Sequence, residues 1–242
     1  MPCRNESNHL VEVVDAIPDY VDEIIVVSNK STDDTVRVAK QLKVTVIEDD
    51  RTLNGIGYGF AYQSGIHAAT GDYIVCVDAD GTYPVEKIAE IIEYMENKGV
   101  DFISGARYPV DKNTNKIPFK LKLGVQVLNM EVKILYNIDL HDTLSGMWLF
   151  KKEIIPLLGI QSNRWSGDWN GSPQIKINAA RNPKIKFEEY HITQSVRLGE
   201  SKQNYFKTGF GHLFWIFLYR FGMSNSSKMD VTEVPLDLHV GK

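Results

Sequence analysis

Over its first 105 residues the chain alternates short apolar runs with stretches of helical periodicity, and that alternation limits its fold more tightly than any other feature. Residues 23–28 (EIIVVS), 44–48, 73–77 (YIVCV) and 101–105 (DFISG) read as strands. Near-continuous apolar character marks strands buried on both faces. Helices are predicted between them over 32–42, 60–69 and 84–97. The last has Pro84 in its first turn, where a missing N–H is harmless. Strand and helix in strict alternation imply an α/β class, with a mostly parallel central sheet and helices on both faces. Ligands of such sheets bind beyond the carboxyl ends of the strands.

The second half is less regular. A polar loop is expected over 108–118, a helix over 120–136, a strand-like Gly-Met-Trp-Leu-Phe within 140–150 and a partly alternating strand over 184–193. In the run 210–221, Phe210, Leu213, Phe214, Phe217, Leu218 and Phe221 share one helical face. At roughly a dozen residues it is too short to span a bilayer. Two readings stay open: a helix packed on the domain, or one lying in a membrane interface with Trp215, Tyr219 and Arg220 at headgroup depth. The expected organisation is one main domain over 1–203, an amphipathic helix over 204–223 and a polar, loose tail over 224–242.

Composition excludes several functions. With 43% hydrophobic and 24% charged residues the chain is an ordinary globular protein, and a net charge of −4 argues against a general nucleic-acid binder. Extra Lys and Arg in the C-terminal half leave room for an anionic ligand. Cys3 and Cys76 give no disulfide framework, so a reducing, cytoplasmic setting is the expectation. The opening Met-Pro-Cys-Arg-Asn-Glu lacks the apolar core of a secretory signal, and no run approaches the ~20 apolar residues of a membrane span. A soluble or peripheral protein is expected.

Four segments carry candidate chemistry. After the 73–77 strand come Asp78-Ala79-Asp80-Gly81, with both carboxylates on one side if the strand persists. Paired carboxylates repel unless a cation sits between them, and hard divalent ions are usually shared with substrate phosphates. Asp and Gly also favour plain turns. Ser31-Thr32-Asp33-Asp34-Thr35 opens a helix with capping residues and acids that suit the helix dipole, or else contacts a nucleotide. Gly55-Ile56-Gly57-Tyr58-Gly59 permits close approach to a phosphate, with Arg51 nearby, or simply permits a turn. Arg197-Leu198-Gly199-Glu200-Ser201-Lys202 groups donors suited to phosphate, or forms a solvated basic turn.

Taken in order, Asn5-Glu6, Ser-Thr-Asp-Asp-Thr, Gly-Tyr-Gly-x-Ala-Tyr, Gly-Asp-Tyr-Ile-Val-x-x-Asp-Ala-Asp-Gly-Thr-Tyr-Pro, Ser-Gly-Ala-Arg-Tyr, Asp-x-x-Ser-Gly-Met-Trp-x-Phe and Arg-x-Gly-Glu-Ser-Lys resemble the family 2 glycosyltransferases of the GT-A fold. The likeness is greatest to the dolichyl- or polyprenyl-phosphate sugar transferases and runs from Pro2 to about Lys202. The resemblance implies a GT-A catalytic domain that binds a nucleotide-sugar donor, GDP- or UDP-hexose, at the carboxyl edge of the sheet. Pro2, Glu6, Asn29, Ser31, Asp33 and Gly57 would lie on the nucleotide side. Asp78 and Asp80 would hold Mg²⁺ or Mn²⁺ against the diphosphate. Arg107, Arg197, Ser201 and Lys202 would present basic or polar groups to phosphate. An inverting in-line transfer to a lipid-phosphate acceptor would follow. Asp80, Asp142 and Asp168 form the catalytic set, with Asp168 the first candidate base should the acceptor be a hydroxyl. The other expectations kept open are a saccharide acceptor in cell-surface glycan synthesis and a non-catalytic nucleotide-sugar binder. A nucleotidyltransferase fits the later motifs poorly.

Three departures accompany the likeness. Relatives begin with a hydrophobic strand ahead of the Pro-x-x-Asn-Glu segment, so this chain is expected to lack a central first strand and to expose strand edges. Ser28 or Asn29 stands where relatives often have a base-reading Asp. Gln174 stands where an acid is often found.

Overall fold

The computed structural model describes residues 1–108, 119–160, 165–199, 204–223 and 237–240. Its elements in chain order are β1 (Pro2–Cys3), α1 (Leu10–Asp15), β2 (Ile25–Ser28), α2 (Thr35–Ala39), β3 (Thr45–Glu48), α3 (Tyr58–Ala68), β4 (Tyr73–Cys76) and α4 (Ile88–Lys98). There follow β5 (Phe102–Ala106), α5 (Phe119–Tyr136), β6 (Trp148–Lys151), α6 (Gly171–Arg181), β7 (Phe187–His191), α7 (Tyr205–Arg220) and β8 (Asp237–Val240). Every strand expected in the first half forms.

The α/β class stands, with the strands divided between two four-stranded sheets, β1-β2-β3-β8 and β4-β6-β5-β7. β1, β2 and β3 pair in parallel, as do β5 and β7. β6 enters antiparallel between β4 and β5, and β8 lies antiparallel on β3. Strand–helix alternation predicts the parallel pairs. β6 escapes it because that strand follows the long α5 and the 137–147 turn instead of a simple crossover. The chain opens with a short first strand, β1, two residues long, with Pro2 opposite Val27 and Cys3 opposite Ser28. The expected loose tail carries β8, with 224–236 and 241–242 outside the described residues.

The second sheet is buried on both faces. Along β6, Trp148 and Phe150 turn to a core under α3 and α6, while Met147 and Leu149 turn to another under α4. This is the period of two that a strand imposes. Phe102 stacks on Phe150 with centroids 5.4 Å apart. α4 buries Ile88, Ile91 and Met95 at helical spacing and stops at Gly99, which adopts a left-handed φ of 63°. α6 was not foreseen. Its buried Ser172, Gln174 and Lys176 break the apolar stripe by which a helix is recognised, because polar partners inside the fold satisfy them.

Candidate active site

A cleft of about 720 Å³ opens at the carboxyl ends of β1 and β4. Its walls come from the 4–6 turn, the 54–58 loop, the turn after β4, the 168–170 turn and one face of α7. Of the residues expected from sequence, Pro2, Glu6, Asn29, Gly57, Asp78, Asp80, Asp168 and Arg197 line it.

Asp78 and Asp80 share the cleft but have different surroundings. Asp78 Oδ1 accepts from the hydroxyls of Tyr58 (2.8 Å) and Tyr62 (3.0 Å). Burial, then the negative charge of Asp80, pushes the Asp78 carboxyl up to about 6. Asp80 is anchored through Oδ1 by the backbone N–H (3.0 Å) and hydroxyl (2.6 Å) of Thr82. Its Oδ2 accepts from Arg197 Nη1 at 2.7 Å. Leu198 N–H donates to the Asp80 carbonyl at 2.8 Å and Ser195 N–H to that of Thr82 at 3.0 Å, so the 195–198 segment is tied to the acidic turn.

The donor set fits a hard divalent cation. Both groups are carboxylates, and Asp80 Oδ2 already attracts a positive guanidinium. Among the described residues no cluster of three or more acids, histidines or cysteines exists. An ion held here would therefore keep positions for phosphate oxygens and water, as Mg²⁺ commonly does.

Asn29 stands at the cleft wall and carries one orphaned, buried acceptor. Its amide donates to the carbonyls of Asp49 (2.5 Å) and Arg51 (2.9 Å), while Oδ1 is buried with no hydrogen-bond partner. Such an oxygen is costly unless a ligand donor meets it. The glycine loop has a packing reason. A Cβ at Gly57 would sit 2.1 Å from Asn29 Nδ2, and one at Gly59 would sit 2.0 Å from the Ser166 carbonyl. These close approaches seat α3 against Asn29 and against the turn that carries Asp168.

Asp168 Oδ1 accepts from Ser166 Oγ (2.6 Å), Asn170 N (2.9 Å) and Asn170 Nδ2 (2.9 Å), and Oδ2 from the same Nδ2 (3.0 Å). Asn170 Oδ1 in turn meets His212 Nδ1 of α7 at 2.7 Å. Burial pushes the His212 imidazole down to about 4. Gln174, expected where an acid is often found, accepts from the Ser166 N–H through Oε1 at 2.6 Å and so supports the same turn.

Several expected residues fall elsewhere. Arg107 and Asp142 do not line the cleft. Arg107 Nε and Nη2 meet Asp142 Oδ2 and Oδ1 at 2.6 and 2.9 Å, and the Arg107 N–H adds a third bond at 3.0 Å. Burial alone would raise the Asp142 carboxyl, but the Arg107 charge and its bonds outweigh it and hold the group below its usual range. Asp142 is thus committed to a buried pair and is not a free carboxylate at the cleft. Ser31 accepts from the Asn5 N–H at 3.2 Å and from Ser28 Oγ at 2.9 Å. Asp33 binds Ser7 and Thr35 through N–H and hydroxyl of each, and those bonds overcome burial to bring it down to about 2. Both brace the 5–8 turn, which favours the structural reading of that motif. Ser201 and Lys202 lie outside the described residues.

Arg4, Trp169, Asn170, Lys207 and His212 line the cleft without having been singled out from sequence. Arg4 Nη1 donates to the Gly55 carbonyl at 2.7 Å, joining two walls. Spacing gives no signal for these residues, because they converge from turns and a helix far apart in the chain.

An acidic pair at the end of a buried strand, in an open cleft on an α/β sheet, marks a nucleotide-diphosphate-sugar transferase type of fold. The model of glycosyl transferase family 2 matches residues 1–158, and the chain belongs to that family. It is 27% identical over 219 residues to the low-salt glycan biosynthesis hexosyltransferase Agl6 of Haloferax volcanii, covering 88% of this chain and 51% of that protein. The chain thus spans about half the length of that relative. It is 26% identical over 212 residues to the dolichyl-phosphate hexose transferase of the same organism, covering 86% of this chain and 87% of that one. Among solved structures, glucosyl-3-phosphoglycerate synthase from Mycobacterium tuberculosis, in complex with Mn²⁺, UDP-glucose and phosphoglyceric acid, matches with a TM-score of 0.68 at 18% identity. That match covers 93% of this chain and 79% of the other and speaks to the fold.

Proposed function

We propose that this protein is a metal-dependent inverting glycosyltransferase that moves a hexose from a nucleotide-sugar donor, GDP- or UDP-hexose, to a polyprenyl (dolichyl) phosphate. The observation that carries the reading is the Asp78–Asp80 pair in the cleft, with Arg197 on Asp80 Oδ2. Asp80 and Asp78 would hold Mg²⁺ or Mn²⁺, which supplies Lewis-acid neutralisation of the departing nucleoside diphosphate. Asn29, at the cleft wall, would lie on the nucleotide side. Arg197, freed from Asp80, would bind diphosphate oxygens through charge-assisted hydrogen bonds. A phosphate acceptor is already anionic and needs no base. The four hydrogen bonds converging on Asp168 suit a carboxylate that positions, and it remains the candidate base only for a hydroxyl acceptor.

Two exposed apolar helix faces support the reading of a lipid-linked acceptor. One side of α7 lines the cleft at Lys207, Thr208, Gly211 and His212. Its opposite side exposes Phe206, Phe210, Phe214, Phe217 and Phe221, and the neighbouring α5 exposes Leu123, Val127, Met130 and Ile134. Among the described residues no helix is long and apolar enough to cross a membrane. These two stripes suit a protein that rests on a bilayer and reaches a carrier's phosphate from the side. Incubating the protein with Mn²⁺ and radiolabelled UDP- and GDP-hexoses, against polyprenyl phosphate or oligosaccharide acceptors, tests this. Label in the organic phase is the expected result. Label only in the oligosaccharide would replace the acceptor class, and no transfer with tight donor binding would favour a non-catalytic binder.

A further inference from the structure

α7 meets the cleft through a buried histidine. His212 is 4% exposed, lies on the cleft-lining side of the helix, and sets Nδ1 2.7 Å from Asn170 Oδ1. Asn170 stands at the N-cap of α6 and is buried as well. Its Nδ2 donates to both oxygens of Asp168, at 2.9 and 3.0 Å. The family model stops at residue 158, so membership of the family gives His212 no role.

This chain of bonds fixes where the histidine carries its proton. A carboxylate accepts and does not donate, so the Asn170 amide turns its NH₂ to Asp168 and its oxygen to His212. That oxygen needs a donor, which places the proton on Nδ1. Burial pushes the imidazole down to about 4, so the ring is neutral near pH 7 and Nε2 carries a lone pair. Among the described residues no donor meets Nε2.

An accepting nitrogen suits a hydroxyl. A phosphate oxygen would face it lone pair to lone pair, and the cation on this side of α7 is Lys207, nearer the start of the helix. The hydrocarbon tail of a polyprenyl carrier has no hydroxyl to offer. Position agrees with a sugar. Tyr58, whose hydroxyl bonds Asp78 at 2.8 Å, packs against Trp169 with ring centroids 4.7 Å apart. The 168–170 turn thus stands one aromatic ring away from the acidic pair. Trp169 and Tyr58 add ring surface at the cleft, on which the C–H groups of a hexose can pack.

We propose that His212 Nε2 accepts a hydrogen bond from one hydroxyl of the donor's hexose, which makes this residue a determinant of the sugar bound. The proposal rests on the nucleotide-sugar reading given above. Asn170 keeps the ring in the accepting tautomer, and Asp168 keeps Asn170 in place.

Calorimetry with Mn²⁺ tests this, using UDP- and GDP-hexoses, the free nucleoside diphosphates and monodeoxy donors that each lack one hydroxyl. Loss of one neutral hydrogen bond should weaken one monodeoxy donor about threefold to tenfold in the wild type. His212→Asn sets its amide near the place of Nδ1, keeping a donor for Asn170 while removing Nε2. That variant should bind the same monodeoxy donor and its parent alike, the non-additivity expected of groups in contact. His212→Gln, which returns an acceptor near the place of Nε2, should regain part of the discrimination. Equal losses for every monodeoxy donor in the wild type and in His212→Asn would overturn the inference. So would a wild type that binds every monodeoxy donor as tightly as its parent, a result that needs no variant to fold. A wild type that binds neither nucleoside diphosphate would instead sink the donor reading, and this contact with it.

Discussion

Arg197 donates from Nη1 to Asp80 Oδ2 across 2.7 Å, so the basic turn near residue 197 and the acidic turn at residue 80 are latched to one another. The Leu198 N–H on the Asp80 carbonyl makes the latch part of the backbone as well. Positive charge therefore already sits on the oxygen that would face a divalent ion.

Replacing Arg197 with Ala should tighten Mn²⁺ binding in the absence of nucleotide, up to about fivefold, since a half-exposed ion pair contributes ~0–1 kcal/mol. The same change should lower kcat/KM about tenfold to hundredfold, because a charged hydrogen bond to the departing diphosphate contributes ~1.5–3 kcal/mol. Calorimetry and steady-state kinetics on one preparation read both effects. Weaker Mn²⁺ binding in the variant would speak against competition for Asp80.

Asp142→Ala should act on the fold. The carboxylate is buried against Arg107 with three bonds from that residue, and removing one member of a buried pair strands the other at a cost of about 3–5 kcal/mol. Urea unfolding should show that loss. A variant of wild-type stability with transfer abolished would restore Asp142 to a catalytic role.

Lys176 is fully buried, with Nζ donating to the Asp142 and Thr143 carbonyls at 2.9 and 3.0 Å. Burial pulls its ammonium down to about 7 from an ordinary 10.5. Between those values the unfolded chain holds a proton that the folded chain has released, so stability rises with pH across that window. The Tm of the wild type relative to Lys176→Met should therefore increase from about pH 7 to about pH 10. A flat difference would mean that the buried amine keeps its proton throughout.

Phe210 and Phe214 are 72% and 67% exposed on the outer side of α7. Phe210→Asp with Phe214→Asp should abolish co-flotation with anionic lipid vesicles and leave the circular dichroism spectrum and nucleotide binding unchanged. Two charges in place of two aromatic rings remove apolar area from the face and disfavour its contact with lipid. Retained flotation would remove α7 from the membrane contact.

What the sequence revealed divides along physical lines. β2 to β5 were legible because burial on both faces writes a continuous apolar run, and Asp78 and Asp80 because they follow such a run directly. α6 was hidden, since Gln174 and Lys176 are polar residues satisfied only by distant backbone. The partner of Asp142 was hidden because spacing cannot show that Arg107 lies against it. Lys207 and His212 were overlooked because the apolar face of α7 dominates its pattern, while the opposite side of that helix lines the cleft. Asp33 accepts from the N–H and hydroxyl of Thr35 at the start of α2, a local contact of the kind its polar neighbours suggested.

Calorimetric titration of UDP and GDP into the wild type and into Asp80→Asn, with and without Mn²⁺, bears most directly on the acidic pair. Mn²⁺ should strengthen binding of one nucleotide to the wild type by at least about tenfold, close to 1.4 kcal/mol, and should leave Asp80→Asn indifferent to the metal. Equal Mn²⁺ enhancement in both proteins, with Asp80→Asn still folded, would contradict a diphosphate held through a cation at Asp80.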